Sequence, residues 1–191
     1  IKNVNEIELA VKKVEIYSQS KGWVTVSSRD KEFALLALKA SGETQLYAKN
    51  EVAVGSYDRV RVTLGDVTVR TKTKGAVKAV LPSEQIVINT KVKVNSNSDS
   101  RVELDFLADK SLHATTDGSF IFAAVVKVES RSGTDVTVAS DDSISVSGGT
   151  VDGDVSVGVD LNGSSRLNFE LKTDSTLKIN SSLGNQINFF L

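Results

Sequence analysis

Apolar and polar residues alternate with a period of two along most of this chain, and that pattern constrains its fold more than any other feature. Ile7, Leu9 and Val11 alternate with Glu6, Glu8, Ala10 and Lys12, as in a strand with one buried and one wet face. The phase slips at Lys12-Lys13, after which Val14 and Ile16 carry the apolar side; such a slip predicts a β-bulge. Further β-runs are Trp23–Val26, Val60–Leu64, Val67–Val69, Gln85–Ile88, Val92–Val94, Val102–Phe106 and the longer Phe120–Glu129. Turn residues separate them every 8–12 residues or so, the spacing of sandwiches and barrels. The run Lys31–Ala40, with Phe33 to Leu38 almost wholly apolar, reads as a helix or a buried strand. The class is all-β.

Composition removes most chemistry. The 191 residues include no Cys, no Met and one His, which leaves no thiol nucleophile and no Cys- or His-rich metal site. Net charge is −1, so electrostatics gives no reason to expect nucleic acid or an anionic membrane as a partner. No run of about 18 apolar residues exists to span a bilayer. The start Ile1-Lys2-Asn3 suggests a mature chain after signal removal, and hence an extracellular or cell-surface location. Two sequons, Asn162-Gly163-Ser164 and Asn180-Ser181-Ser182, make Asn162 and Asn180 glycosylation candidates.

The composition shifts near residue 140. Residues before it hold 20 basic and 17 acidic side chains; those from it onward hold 3 and 7 and are rich in Ser, Gly, Asp and Asn. The expected organisation is a β-sandwich over 1–139 and an acidic β-annex over 140–191, either part of the same sandwich or a strand that links subunits. Strand patterns continue in the annex at Ile144–Val146, Val155–Val159 and Leu167–Leu171.

Several ordered elements carry a resemblance. They are Val11–Tyr17, Gly22-Trp23-Val24-Thr25-Val26, Phe33–Leu38, Val54-Gly55-Ser56-Tyr57-Asp58-Arg59-Val60-Arg61-Val62 and Leu104-Asp105-Phe106. In this order they resemble the domain of unknown function 4382, an extracytoplasmic β-domain of bacteria and archaea, over about residues 1–139. The resemblance implies a transthyretin-like or immunoglobulin-like sandwich at a cell surface and no activity. Bacterial members often carry an N-terminal lipidated Cys, which this chain lacks. From the residues themselves, Trp23 and Tyr57 read as core anchors, with the Tyr57 hydroxyl reaching a loop carbonyl; a sugar-stacking platform is the competing reading.

Among polar groups, His113 stands alone in a loop-like stretch, without a serine-hydrolase motif near it. Asp105 and Asp109 flank an apolar stretch and read as turn and ion-pair residues. Asp141-Asp142, Asp152, Asp154, Asp160 and Asn162 form the best oxygen-ligand cluster, a weak calcium candidate that lacks EF-hand spacing and competes with a reading as solvated turns. No other cofactor is expected.

The strongest functional hint is the C-terminus. Leu177, Ile179, Leu183, Ile187, Phe189 and Leu191 occupy odd positions, with Lys178, Asn180, Ser182, Gly184, Gln186 and Asn188 between them, and the chain ends on Phe189-Phe190-Leu191. An apolar terminal strand is a liability unless something pairs with it. Either it closes a final hairpin around Ser181–Asn185, or Ile187, Phe189 and Leu191 enter a neighbour's sheet as a donated strand. The expected function is therefore a non-enzymatic subunit of a surface filament or pilus-like assembly, a homopolymer joined by donor-strand complementation. The alternative is a monomeric surface module that binds glycans or calcium.

Overall fold

The longest alternating stretches become the two central strands of the first sheet. In a computed structural model that describes residues 3–171, 176–180 and 186–190, β1 (Val4–Ser18) pairs antiparallel with β4 (Gly55–Thr71). Their inward positions, Ile7, Leu9, Val11, Val60, Val62, Leu64, Val67 and Val69, are all buried. The register between the strands shifts between Val11 and Lys13, the predicted bulge, and it returns Ile16 to the buried face. Four shorter strands flank this pair. β2 (Gly22–Ser27) and β3 (Lys31–Ala34) add to β1; β5 (Gly75–Lys78) and β6 (Gln85–Val94) add to β4, giving six strands.

The apolar run Lys31–Ala40 is partly strand and partly helix, since β3 passes directly into α1 (Leu35–Ser41). Ala34 offers no side-chain cap. The Glu6 carboxylate does that work instead, accepting the Leu36 and Ala37 N–H groups at 2.8 and 3.2 Å. Gly42 ends the helix in the left-handed conformation, φ 67°.

The second sheet has the order β12-β11-β10-β7. It comprises β7 (Asp99–Phe106), β10 (Val125–Val138), β11 (Ile144–Val159) and β12 (Ser165–Leu167). Between β7 and β10 the chain makes α2 (Ala108–Ser111) and a small hairpin of β8 (Leu112–Ala114) and β9 (Phe120–Phe122). The run Phe120–Glu129 is thus two strands, because β9 pairs with β8 while β10 joins the second sheet. The strand expected over Leu167–Leu171 stops at Leu167, where Asn168 turns to φ 51°. Positions 139 and 140 fall between β10 and β11, and the acidic segment supplies β11 and β12 to the same sheet as β7 and β10. Finally, β13 (Thr176–Asn180) pairs with β14 (Gln186–Phe190) as a two-stranded ribbon. The fold is an all-β sandwich, and among the described residues no helix is long and apolar enough to cross a membrane.

A polar seam joins the two sheets along the outer edge of β6. The Val87 N–H donates to the Ser165 hydroxyl of β12, the Ser130 hydroxyl of β10 donates to the Lys91 carbonyl, and that of Ser100 in β7 donates to the Lys93 carbonyl at 2.6 Å. Successive residues of β6 therefore meet successive strands of the second sheet, so β6 crosses that sheet rather than running along it. Gly153 of β11 lies at the same crossing. A Cβ on Gly153 would sit 2.9 Å from the Lys91 carbonyl oxygen, closer than the backbone allows.

This packing makes neighbouring residues unequal. Gly153→Ala is expected to lower unfolding free energy by about 1–3 kcal/mol through overpacking of the seam. In β6, Ile88→Ala should cost about 2–5 kcal/mol, whereas Val87→Ala, on the exposed face, should stay within about 0.5 kcal/mol. Denaturant titration of the three variants measures all of this, and similar values for Ile88 and Val87 would contradict the register.

Candidate functional site

Beyond Ser100, at one end of the seam, a cleft of about 1560 Å³ opens between the two layers. One wall is β1, β3 and α1, contributing Leu9, Val11, Val14 and Phe33; the facing wall is β7, contributing Val102, Leu104 and Phe106. Several of these side chains pack on the core yet stay only partly buried: Val14, Val26, Phe33, Val102, Leu104 and Phe106. The irregular segment 43–54 borders the cleft. It is pinned to the turn regions by the Tyr47 hydroxyl donating to the Arg29 carbonyl at 2.6 Å and the Asn50 amide donating to the Val26 carbonyl at 3.0 Å. It is tied to the tip of the β10–β11 hairpin by the Leu46 N–H, which donates to the Asp142 carbonyl, and by the Ile144 N–H, which donates to the Thr44 carbonyl.

Two ion pairs bridge elements that line the cleft, Lys39–Asp109 at 2.8 Å and Lys49–Asp99 at 3.9 Å. The Lys39 ammonium beside Asp109 holds that carboxyl below its usual range. All four side chains are well exposed, so each pair contributes only about 0–1 kcal/mol. The rim is lightly tied.

The outer edge of β7 is open. Its other edge pairs with β10, with Phe106 opposite Val126, Leu104 opposite Val128 and Val102 opposite Ser130. The Leu107 N–H bonds the Val125 carbonyl, which sets the phase of the ladder. Asp105 and Glu103 then bond to β10, while the N–H and C=O groups of Val102, Leu104 and Phe106 point away from it. No strand pairs with that side, and no backbone hydrogen bond reaches it among the described residues. The same three residues share the sheet face of buried Val126 and Val128, so open backbone and apolar cleft belong to one surface. β7 itself is legible in the sequence; nothing in the sequence marks its edge as unpaired.

Tyr57 is a core anchor as expected, 1% exposed, its hydroxyl donating to the Ala53 carbonyl at 2.7 Å. Trp23 is not. It pairs with Tyr17 on the outer face of the first sheet, because its parity is opposite to that of Val24, which pairs with buried Ile16. The Arg61 guanidinium lies 4.0 Å from the indole centre, the Tyr17 ring 5.2 Å from it, and Arg59 covers Tyr17 at 4.5 Å. These rings are engaged with their own sheet, which weakens the case for a sugar platform. Beneath them, Glu15 is buried between Arg61 at 2.6 Å and Lys13 at 2.9 Å.

The remaining polar candidates are dispersed. His113 lies in β8, not in a loop; it is buried, and burial pushes its pKa below the usual value. Asp105 is exposed on β7. Asp141 accepts from the Ser143 N–H and hydroxyl, and Asp142 pairs with Lys31. Asp160 accepts the Asn162 and Ser164 N–H groups and pairs with Arg166 at 2.7 Å. Asp154 is exposed opposite Glu129, and Asp152 is half-buried. No group of three or more His, Cys, Asp or Glu among the described residues could hold a metal ion. Asn162 is exposed in the turn that Asp160 closes. Asn180 ends β13, and Ile187 and Phe189 lie in β14, their side chains outside the described residues, as is all of Leu191.

A family model for a domain of unknown function, DUF4382, matches residues 1–124. The chain belongs to the DUF4382 family. No curated protein and no solved structure matches it. The DUF4382 match stops at Ala124, one residue before β10, short of the 139 expected from sequence. It therefore includes the first sheet, β7 and the β8–β9 hairpin, while every strand that pairs with β7 lies beyond it.

The buried ion pair yields a pH test. Hydrogen bonding from Arg61 lowers the Glu15 pKa to about 2, against the opposing effect of burial. A depressed carboxyl pKa stabilises the fold above about pH 4.5, and that contribution is lost as pH falls toward 2. Glu15→Gln should remove up to roughly 3 kcal/mol of the pH dependence across this window. Unfolding titrations at pH 2.5 and pH 7 measure it; an equal pH dependence in both proteins would refute the assignment.

Proposed function

We propose that this chain is a non-enzymatic structural subunit of a cell-surface filament or pilus-like assembly, in which copies join by β-strand addition at β7. The observation that carries this reading is the coincidence of an open strand edge with a partly covered apolar cleft. Backbone groups on such an edge supply affinity, and pockets beneath alternate side chains supply specificity. Full burial of an apolar side chain the size of Leu104 or Phe106 contributes about 1.5–3 kcal/mol. Covering several at once adds to the backbone hydrogen bonds in opposing the entropy of association.

An extracellular location and an immunoglobulin-like or transthyretin-like sandwich belong to the same reading. Its support is the exposed Asn162 sequon and the scarcity of catalytic side chains. The self-occupied faces of Trp23 and Tyr17 favour this reading over a glycan-binding module.

Proline separates the two edges of β7. Val102→Pro removes an N–H that the β7–β10 ladder does not use, and edge strands tolerate such prolines. Asp105→Pro removes one that the ladder does use, so it should destabilise the fold. Wild type is expected to form linear assemblies by negative-stain microscopy and sedimentation. Val102→Pro should remain folded and monomeric. Monodisperse wild-type protein at high concentration, or unchanged assembly of folded Val102→Pro, would overturn the reading.

A further inference from the structure

Among the described residues no strand pairs with the outer edge of β7, and β14 joins only the two-stranded ribbon with β13. Resting on the strand-addition reading above, we infer that β14 of a second copy is the segment that enters, adding to β7 with Ile187 and Phe189 at its inward positions. The two edges match in pattern. On β7 the inward positions are Val102, Leu104 and Phe106; in β14 Ile187 and Phe189 share one parity, and Gln186, Asn188 and the terminal Phe190 the other. No residue of Gln186–Phe190 is charged, so lining the cleft with it strands no ion in an apolar space.

The ribbon that β14 forms with β13 contains two strands, and no third strand pairs with it among the described residues. Two-stranded ribbons are marginal in water, so exchange of β13 for a better partner is not opposed by a large sheet. Position argues for a second copy. Within one chain β13 lies beside β8, and the β8–β9 hairpin is bridged to Val80, just beyond β5. That is the edge of the first sheet opposite to β3, which borders the cleft. The donor ribbon belongs to neither large sheet and the acceptor is the edge strand of the second sheet, so addition to a second copy gives a head-to-tail contact, which propagates as a filament when the rotation does not close.

The cysteine-free chain makes the test clean. Leu104→Cys protein is mixed with Phe189→Cys protein and treated with a short bis-maleimide that tolerates small differences in register. The expected product is a covalent heterodimer of the two variants, at least about ten-fold more abundant than in the parity control of Leu104→Cys with Asn188→Cys. A product confined to the Leu104→Cys/Phe189→Cys double variant, joined within one chain, would overturn the second copy as donor. Dimers of Leu104→Cys alone would overturn it in favour of β7–β7 pairing. Deletion of 186–191 separates this inference from its parent. Assemblies that persist, and still require an unblocked Val102 edge, overturn only the donor; absence of assembly in wild type overturns both. Loss of assembly on deletion, with the monomer's melting temperature retained, supports the inference.

Discussion

The seam along β6 is the contact on which the architecture depends. An edge strand presents unpaired backbone groups, and those of β6 face the other layer of the sandwich. Serine hydroxyls from β7 and β10 and the Ser165 oxygen of β12 satisfy three of them, while Gly153 lets β11 approach without a side chain between. Each bond is modest, about 0.5–1.5 kcal/mol, and together they fix the direction in which the second sheet crosses β6. The second sheet is thereby fixed across β6, and the cleft follows from where that sheet ends.

Other edges are managed in different ways. β11 is irregular along its length, with a register shift opposite Ser130 and Arg131 and two glycines, Gly148 and Gly149, at positive φ; its exposed residues are mainly small or polar. The strands β2 and β3 are short. β7 has neither protection. Its ladder with β10 runs without a break from Phe106 to Ser100, and its inward side chains are apolar. An edge of this kind invites pairing.

Much of the fold was legible in the sequence because alternation records which face of a strand is buried. The phase slip at Lys12-Lys13 located the bulge, and Tyr57 declared itself by its place ahead of an apolar strand. Trp23 was misread because aromatic bulk suggests a core, whereas pairing with Tyr17 decides the face. The seam was invisible, since Ser100, Ser130, Gly153 and Ser165 have the composition of turns. The cleft was invisible for a deeper reason. A strand's pattern shows which residues want burial and says nothing of whether a neighbour lies beside it. Likewise, Asp152, Asp154 and Asp160 are close in sequence but spread along β11 and the turn that follows, and sequence proximity in a strand is a poor guide to shared ligands.

The match that ends at Ala124 has a consequence for the family as a module. A polypeptide cut there would hold β7 with neither neighbour, a strand bare on both sides beside an apolar layer. Such a unit is incomplete by construction and has to borrow. In this chain one loan is made in cis, by the β10–β11 hairpin that follows immediately. In this chain the sequence after Ala124 is then part of the folding unit rather than an appendage, because it returns a strand to β7.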